Sequence, residues 1–421
     1  MGIVVQKFGG SSVATPEKYR RVARRIAWKK KQGNDMVVVV SAPGDMTDEL
    51  IERARAITER PSPREMDVLM ATGEQISIAL LTMALHELGV DAVSLTGPQA
   101  GFQTDDHHRA AKIRNIDTTR VRRELAGGKV VIVAGFQGLD EHGDITTLGR
   151  GGSDASAIAL AAYLNADECQ IFTDVDGVYS ADPRLVPTAR RLDEISYDEI
   201  LELAAAGAQV MQLRSVELAK QYGVEFEVLS SLAPLPDEGG EERGTKVVAK
   251  LSPNNNRIVS GVALDSKVAH ITLLGLPDRP GVAYKAFKAL GDARINLDMI
   301  VQSAGTGCGN GPTADISFTC ARDDLDTALE VCNRILPEFP GARVVYDTDV
   351  AKVSIVGSGV ASNYGVAAKM FEALAEKDIN IELITGSEIK ISCLVRASRA
   401  MEAVRAVHDK FQLGDLEPIV E

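Results

Sequence analysis

Short apolar runs at residues 3–5, 36–40, 92–95, 130–133, 170–172 and 224–228 alternate with longer stretches whose apolar positions recur at helical spacing. Runs of this length joined by helices predict an α/β domain on a largely parallel sheet. Several end in glycine, serine or aspartate, where open sheets of this kind collect ligand-binding loops. The pattern breaks between Pro234 and Gly244, where Pro, Gly and the charge run 237–243 read as a solvated loop.

Beyond the break the pattern duplicates itself. Residues 281–290 align with 365–374, and Ile295-Asn296 with Ile379-Asn380, at a constant offset of 84 residues. In the first copy Val282, Ala283, Ala286, Phe287 and Leu290 form one helical face, Pro280 fits the first turn and Asp278 can cap it. That copy reads β (269–274), α, β (296–302), β (314–320), α (325–335), β (343–346), a ferredoxin-like βαββαβ unit. The second copy starts with strand 352–356 and runs through helix 399–411, leaving only Pro418-Ile419-Val420 for its last strand. The surplus strand at 257–264 is a candidate to complete that sheet, which makes the first unit an insertion in the second. The expected domains are therefore 1–249, 265–348 and 349–421, the last with or without 257–264. The Met and Phe positions of the repeat helices read as core.

At 421 residues the chain suits several domains, and 45% hydrophobic with 25% charged residues is ordinary for a globular protein. A formal net charge of −13 argues against a nucleic acid or a membrane surface as partner and in favour of small molecules. Five scattered cysteines, Cys169, Cys308, Cys320, Cys332 and Cys393, contain no C-x-x-C pair and support neither a disulfide framework nor structural zinc. Met1 to Val5 leads straight into a strand instead of a signal segment, and no apolar run approaches membrane-spanning length, so the expected compartment is the cytoplasm.

Three loops carry chemistry. Thr147-Leu148-Gly149-Arg150-Gly151-Gly152-Ser153-Asp154 puts glycines, a guanidinium, a hydroxyl and a carboxylate before an alanine-rich helix at 155–162, with Ser153 as a reasonable N-cap, and reads as a small-anion site. Lys7-Phe8-Gly9-Gly10-Ser11-Ser12 follows the opening strand. It is not a P-loop, because its lysine precedes the glycines, yet backbone N–H groups and a mobile ammonium suit phosphate oxygens equally well. Thr173 to Tyr179, followed by Asp182-Pro183-Arg184, offers carboxylates, a ring and a guanidinium to a nucleotide or its metal. An EF-hand is excluded there, since Val178, Tyr179 and Leu185 fall where an oxygen ligand, a glycine and a bidentate glutamate are needed. Gly357-Ser358-Gly359 reads as a strand-to-loop glycine pair, and His107-His108, with no third ligand evident, as a polar loop.

Together the three loops resemble the signatures of the aspartate kinases, within the amino-acid kinase family, and the tandem repeats resemble their ACT regulatory domains. The resemblance covers essentially the whole chain. It implies phosphorylation of the aspartate side-chain carboxylate by ATP with Mg²⁺, the first step toward lysine, threonine, methionine and diaminopimelate. By that resemblance Lys7, Phe8, Gly9, Gly10 and Ser11 belong to the phosphate loop, while Thr173, Asp174, Tyr179, Arg184 and Lys246 line the nucleotide. Ser41, Thr47, Glu74, Arg150, Gly151, Gly152 and Ser153 surround the amino acid, with Glu74 for its ammonium and Arg150 for its α-carboxylate. Lys7 and Asp154 mark the centre where phosphate moves. Read singly, Glu74 would pass for a surface residue near the start of a helix at 75–85, and Ser41 and Thr47 for ordinary caps.

The resemblance further implies lysine, threonine or both as effectors, in pockets drawn from Asp278, Gly281, Val282, Ala283, Asn296, Asp298 and Gln302 on one side and Asn380 and Ile381 on the other. It implies a homo-oligomer through the ACT domains and leaves open a shorter C-terminal subunit started near Val247 or Val248. Two departures stand out: Glu242-Arg243-Gly244-Thr245-Lys246 replaces a Pro-Gly-Thr turn, and Val360 replaces a methionine at the expected pocket rim. Other readings are an acetylglutamate or glutamate kinase and a catalytically dead amino-acid sensor. The sensor would predict loss of Lys7, Arg150 or Asp154, all of which are present. A fusion to homoserine dehydrogenase is not expected, as no dinucleotide-binding domain follows Glu421.

Overall fold

A computed structural model describes residues 2–208, 211–235, 238–240, 242–253, 255, 257–304 and 312–414. Runs of β-branched residues, buried on both faces, form strands between amphipathic helices. β1 (Ile3–Phe8), α1 (Pro16–Lys31), β2 (Asp35–Val40), α2 (Met46–Ile57), α3 (Pro63–Glu87) and β3 (Ala92–Leu95) come first. Next are β4 (Phe102–Thr104), β5 (Ile113–Ile116), α4 (Thr119–Ala126), β6 (Val130–Ala134), β7 (Gln137–Leu139) and β8 (Ile145–Thr147). Then follow α5 (Gly152–Leu164), β9 (Glu168–Thr173), β10 (Glu194–Ser196), α6 (Tyr197–Ala205), α7 (Leu213–Tyr222), β11 (Phe226–Ser230) and β12 (Thr245–Val248).

The main sheet has the order β10-β12-β11-β9-β1-β2-β6-β3 and is parallel except where β11 meets β12. Met36, Val37, Val38, Val39 and Val40 are all fully buried, as a central strand covered on both faces requires. Phe8 lies opposite Val40 and Phe172, so β1, β2 and β9 end at one level and open their loops on the same edge. A small second sheet, β5-β4-β7-β8, was not expected from the sequence; its strands have three or four residues and too little apolar pattern to show.

α1 begins as its sequence requires, with Thr15 accepting the Lys18 N–H, Pro16 in the first turn and three lysines in the last. Its Arg25 is buried with 2% side-chain exposure. The guanidinium donates to Glu242 Oε1 at 2.5 Å and to Ala233 O at 2.9 Å and lies 5.1 Å from the Phe172 ring centroid. The segment expected to be a solvated loop is thus tied back at Ala233 and Glu242. Helix α3 also exceeds expectation: it runs 25 residues and places Glu74 at mid-helix with 3% exposure. By length and composition it could cross a membrane, contrary to the expectation of no such run, yet Ile78, Leu81 and Leu85 are buried against the sheet.

The second compact unit comprises Tyr179–Arg190, Ala205–Ala208 and Asn256–Glu421. Its elements are β13 (Gly261–Asp265), β14 (Val268–Pro277), α8 (Val282–Asp292), β15 (Leu297–Ala304), β16 (Thr313–Ala321), α9 (Leu325–Ile335) and β17 (Arg343–Asp347). After these come β18 (Val350–Val356), α10 (Val366–Ala375), β19 (Leu383–Gly386), β20 (Lys390–Arg396) and α11 (Ala400–Lys410). The first copy forms the sheet β15-β16-β14-β17, and β13 completes the other as β13-β18-β20-β19. Chain order β13, whole first copy, β18 means that the first copy is inserted in the second. Residues 418–420, the weaker candidate for that strand, lie outside the described residues.

Two local readings change, and a third is explained. The N-cap of α8 is Gly281 in a left-handed conformation, so Pro280 and Asp278 precede the helix and Asp278 does not cap it. Val360 is buried in the core of the second copy, not at a pocket rim. Gly357 needs its missing side chain because a Cβ would lie 2.3 Å from the Ile258 carbonyl oxygen. Cys169, Cys320, Cys332 and Cys393 are buried free thiols, and Cys308 lies outside the described residues.

Arg25→Ala leaves Glu242 without its cation and takes from the Ala233 carbonyl one of its two guanidinium donors, the other being Arg21 at 2.6 Å. The loss expected for one partner of a buried pair is about 3–5 kcal/mol. Urea unfolding of wild type and variant measures it, and a loss below about 1 kcal/mol would mean that the pair is solvated.

Candidate active site

The loops at the carboxyl edge of β1, β2 and β6, together with the start of α5, enclose a cleft of about 330 Å³. Lys7, Ser41, Thr47, Glu74, Arg150, Gly151, Gly152, Ser153 and Asp154 all line it, nine positions singled out from the sequence. Gly10 lines it as well. Lys7, 8% exposed near the end of β1, reaches Asp154 Oδ1 of α5 at 2.6 Å. The contact is electrostatic and leaves that oxygen without a directed hydrogen bond.

Gly151, not Ser153, is the N-cap of α5; its φ of 74° is left-handed, and a Cβ there would lie 2.5 Å from Gln212 Cβ. Ser153 is the second helical residue. Gly152 N–H is taken by Gly149 O at 2.9 Å and Ala155 N–H by Gly151 O at 3.1 Å. The first-turn N–H groups of Ser153 and Asp154 have no partner among the described residues, as at the positive end of a helix open to an anion. Arg214, in the first turn of α7, fixes the preceding loop by donating to Leu148 O and to Ala111 O, and Ser215 Oγ donates to Gly151 O.

Glu74 accepts the Ala42 N–H on Oε1 at 3.1 Å, while its buried Oε2 has no partner among the described residues. Burial pushes its carboxyl up to about 7, against the smaller opposing effect of backbone hydrogen bonds. Gly149, part of the small-anion loop, lines the cleft too, but sequence reasoning missed Ala42, Gly44, Phe136 and Gln212. Of these, Phe136 follows the strand-end Gly135 and could have been found by that signal; Gln212 is far away in sequence and gave none.

Other expected site residues lie elsewhere. Phe8 is a core residue stacked on Phe172 at 4.7 Å, and neither Gly9 nor Ser11 lines the cleft. Thr173 closes β9 and donates to Asp174 Oδ1; Lys246 is exposed on β12 opposite Glu227. Despite the altered turn before it, Lys246 is held in register, since Thr245 Oγ1 accepts the Val178 N–H at 2.8 Å and donates to Leu192 O at 2.6 Å. Tyr179 and Arg184 belong to the second unit, where Tyr179 packs on the core and Arg184 forks onto Asp182.

Within the second unit a separate cavity of about 370 Å³ gathers Asp278, Gly281, Val282, Ala283 and Gln302. Asn296, Asp298, Asn380 and Ile381 do not line it. Burial raises the Asp298 carboxyl, but the Lys352 ammonium at 2.6 Å outweighs this and holds it below its ordinary range. Asn380 is bonded to Glu382, and Ile381 packs on the core of the second copy.

Residues 2–230 match the amino acid kinase family, and residues 271–336 and 353–411 match an ACT domain. The chain is 50% identical over 415 residues to an aspartokinase of Geobacillus stearothermophilus, covering 99% of this chain and 98% of that one. It is 48% identical over 417 residues to an aspartokinase of Corynebacterium glutamicum, covering 98% and 97%. Among solved structures, E. coli aspartokinase III aligns with a TM-score of 0.76 at 26% identity, over 97% of this chain and 99% of that one, both with lysine and aspartate and with aspartate and ADP.

The Glu74 carboxyl predicts a pH signature. Its folded value near 7 stands above the ordinary 4.5, so the folded state binds the extra proton. The associated stability is fully present below about 4.5 and lost as pH rises through about 7. Glu74→Gln keeps the acceptor for Ala42 but cannot ionise. Relative to wild type it gains up to about 3 kcal/mol between pH 5 and pH 8. Thermal unfolding at the two pH values checks this, and parallel pH profiles would refute it.

Proposed function

Since this chain belongs to the aspartokinases of the amino acid kinase family, we propose that its cleft transfers the γ-phosphoryl group of ATP to the side-chain carboxylate of L-aspartate. The products are 4-phospho-L-aspartate and ADP. The observation that carries this reading is the Lys7–Asp154 pair at 2.6 Å, set beside the free N–H groups of α5 in a cleft that also holds Glu74 and Arg150.

The acceptor needs no general base. A side-chain carboxylate has a pKa near ~4 and is already ionised at neutral pH. The remaining work is to hold two anions together and to neutralise charge as the phosphoryl group moves. Arg150, which makes no ion pair among the described residues, suits the α-carboxylate through a two-pronged contact. The unpartnered Glu74 Oε2 suits the ammonium, and Ser41 and Thr47 supply hydroxyls between them. Lys7, with the backbone at Gly10, faces the transferring phosphate, and Asp154 holds the Lys7 ammonium in place. Thr173, Asp174 and Lys246 stand at the neighbouring strand ends for the rest of the nucleotide.

The cleft holds two acids, one of them paired with Lys7, so it offers no all-protein cage. This fits Mg²⁺ carried on the nucleotide phosphates with its waters, where it would offset phosphate charge. The reading makes the reaction the first step toward lysine, threonine, methionine and diaminopimelate, in the cytoplasm. It also takes the ACT cavity, with Asp278 and Gln302, as the seat of lysine or threonine, and the ACT sheets as the surfaces through which chains pair.

Lys7→Ala is expected to lower kcat at least 100-fold with a smaller change in KM for aspartate, whereas Arg150→Ala chiefly raises that KM, by roughly tenfold or more. Steady-state assays of ADP release with aspartate, glutamate and acetylglutamate test both, and faster turnover of either alternative substrate would overturn the assignment. Gln302→Ala should weaken inhibition by lysine or threonine about tenfold while leaving uninhibited kcat within about twofold. Unchanged inhibition in that variant would place the effector elsewhere.

A further inference from the structure

His107 and His108 read from the sequence as a polar loop without a third ligand; the structure supplies partners for one of them. His107 is 80% exposed beside Asp106, whereas His108 turns inward. His108, Asp140 and Asp144 each offer one ligand atom, and these atoms lie within 4.8 Å of one another. His108 comes from the loop between β4 and β5, and the two carboxylates from the turn between β7 and β8. None of the three lines the catalytic cleft.

Two features prepare this group before any ion arrives. Asp67 of α3 is fully buried and accepts from Thr147 Oγ1 at 2.6 Å, from Arg109 N–H at 3.0 Å and from His108 Nδ1 at 2.9 Å. A carboxylate already receiving two other donors fixes Nδ1 as the protonated nitrogen and leaves Nε2 to bind, the arrangement that orients metal-ligating histidines. Asp140, 7% exposed, accepts the N–H groups of His142 at 2.9 Å and Asp144 at 2.8 Å on Oδ1, which locks the turn and its own rotamer.

Charge points the same way. Asp67, Asp140 and Asp144 bring three carboxylates, and Arg64, 2.6 Å from Asp144, brings one compensating guanidinium. With a neutral imidazole this leaves two negative charges in excess.

We propose that His108, Asp140 and Asp144 bind a divalent transition cation, with Zn²⁺ the best fit, through His108 Nε2 and one oxygen of each carboxylate, water completing the shell. One imidazole among the donors favours Zn²⁺ over Mg²⁺ or Ca²⁺, which take oxygen ligands. Ligands about 2.1 Å from a metal stand at most about 4.2 Å apart, so the group needs to close by only a few tenths of an ångström. The ion would clip the β4–β5 loop and the β7–β8 turn to α3. Because Thr147, the last residue of β8, shares Asp67, the clip would also brace the loop that opens the cleft.

The test uses the full-length chain, stripped with EDTA and free of nucleotide and Mg²⁺. Calorimetric titration with ZnCl₂ should give one equivalent per chain with Kd on the order of 1 μM or tighter, a rise in Tm, and retention of Zn²⁺ in about 1 mM Mg²⁺. Titration with Co²⁺ should produce the visible bands of a low-coordinate nitrogen and oxygen site. His108→Ala and Asp144→Asn should each weaken Zn²⁺ at least tenfold and shrink the Zn²⁺-induced rise in Tm, read against each variant's own metal-free Tm because each also loses a contact to Asp67 or Arg64. Absence of stoichiometric binding at about 100 μM Zn²⁺ would overturn the proposal. So would binding equally tight in both variants, which would put the ion elsewhere.

Discussion

Parallel pairing of β1 with β2 and β9 is the constraint from which the cleft follows. Side chains alternate along a strand, so Phe8 and Lys7 face opposite sides of the sheet. Phe8 goes to the core under α1 and α3, where it stacks on Phe172. Lys7 goes to the side on which α5 packs, where it meets Asp154. A one-residue slip of β1 would exchange them, driving an ammonium into an aromatic stack and a phenyl ring toward a carboxylate. The large apolar burial around Phe8 therefore sets the register, and the register delivers Lys7. Arg25, over Phe172 and bound to Glu242, extends this aromatic stack to the segment before β12.

The central strands were legible because a strand covered on both faces must be apolar throughout, and the repeat because two copies solve one packing problem with one pattern. What escaped was decided by distant residues. The first half of α3 carries Arg64, Glu65, Asp67, Thr72, Gly73 and Glu74, a polar stretch that hides the helix before residue 75; tertiary packing nonetheless buries Asp67 and Glu74. Ser153 and Asp278 look like caps, yet left-handed glycines take both N-cap positions, because Gly151 lies against Gln212 and Gly281 provides a tight lead into α8. No local pattern shows Gln212 beside Gly151 or Asp140 beside His108. Tyr179 and Arg184 were legible as a motif, but their packing in the second unit was not.

Insertion of one ferredoxin-like unit within the other has a physical rationale. β13 pairs with β18 across the whole intervening copy, so closing the second sheet costs less chain entropy once that copy has folded and brought its ends together. The two copies are further joined by Lys352, buried on β18, which binds Asp298 of β15 at 2.6 Å and lies 3.8 Å from Asp265 of β13. Asp298 is thereby occupied as a structural anion. A free amino acid in the neighbouring cavity would have to recruit Asp278 and Gln302, or else break the Lys352 pair at a cost in fold stability.

The interior charges of the first unit are met in different ways: Asp67 and Glu199, both fully buried, accept several hydrogen bonds each, whereas others meet a cation or none. Lys7 has Asp154 and Arg25 has Glu242, and each pair offsets much of the desolvation its members suffer. Glu74 has no cation among the described residues, and its carboxyl rises to about 7 in consequence. An unpaired buried acid is costly to the empty protein at neutral pH, and a core Gln or Met could have replaced it. Its presence makes sense if a cation arrives with the ligand, because the ammonium of a bound amino acid would supply the missing charge and favour ionisation. Substrate binding and ionisation of Glu74 are then linked equilibria, each promoting the other by the same free energy. The cleft is in this respect built for its occupied state, with Glu74 bearing a cost that a bound cation would relieve.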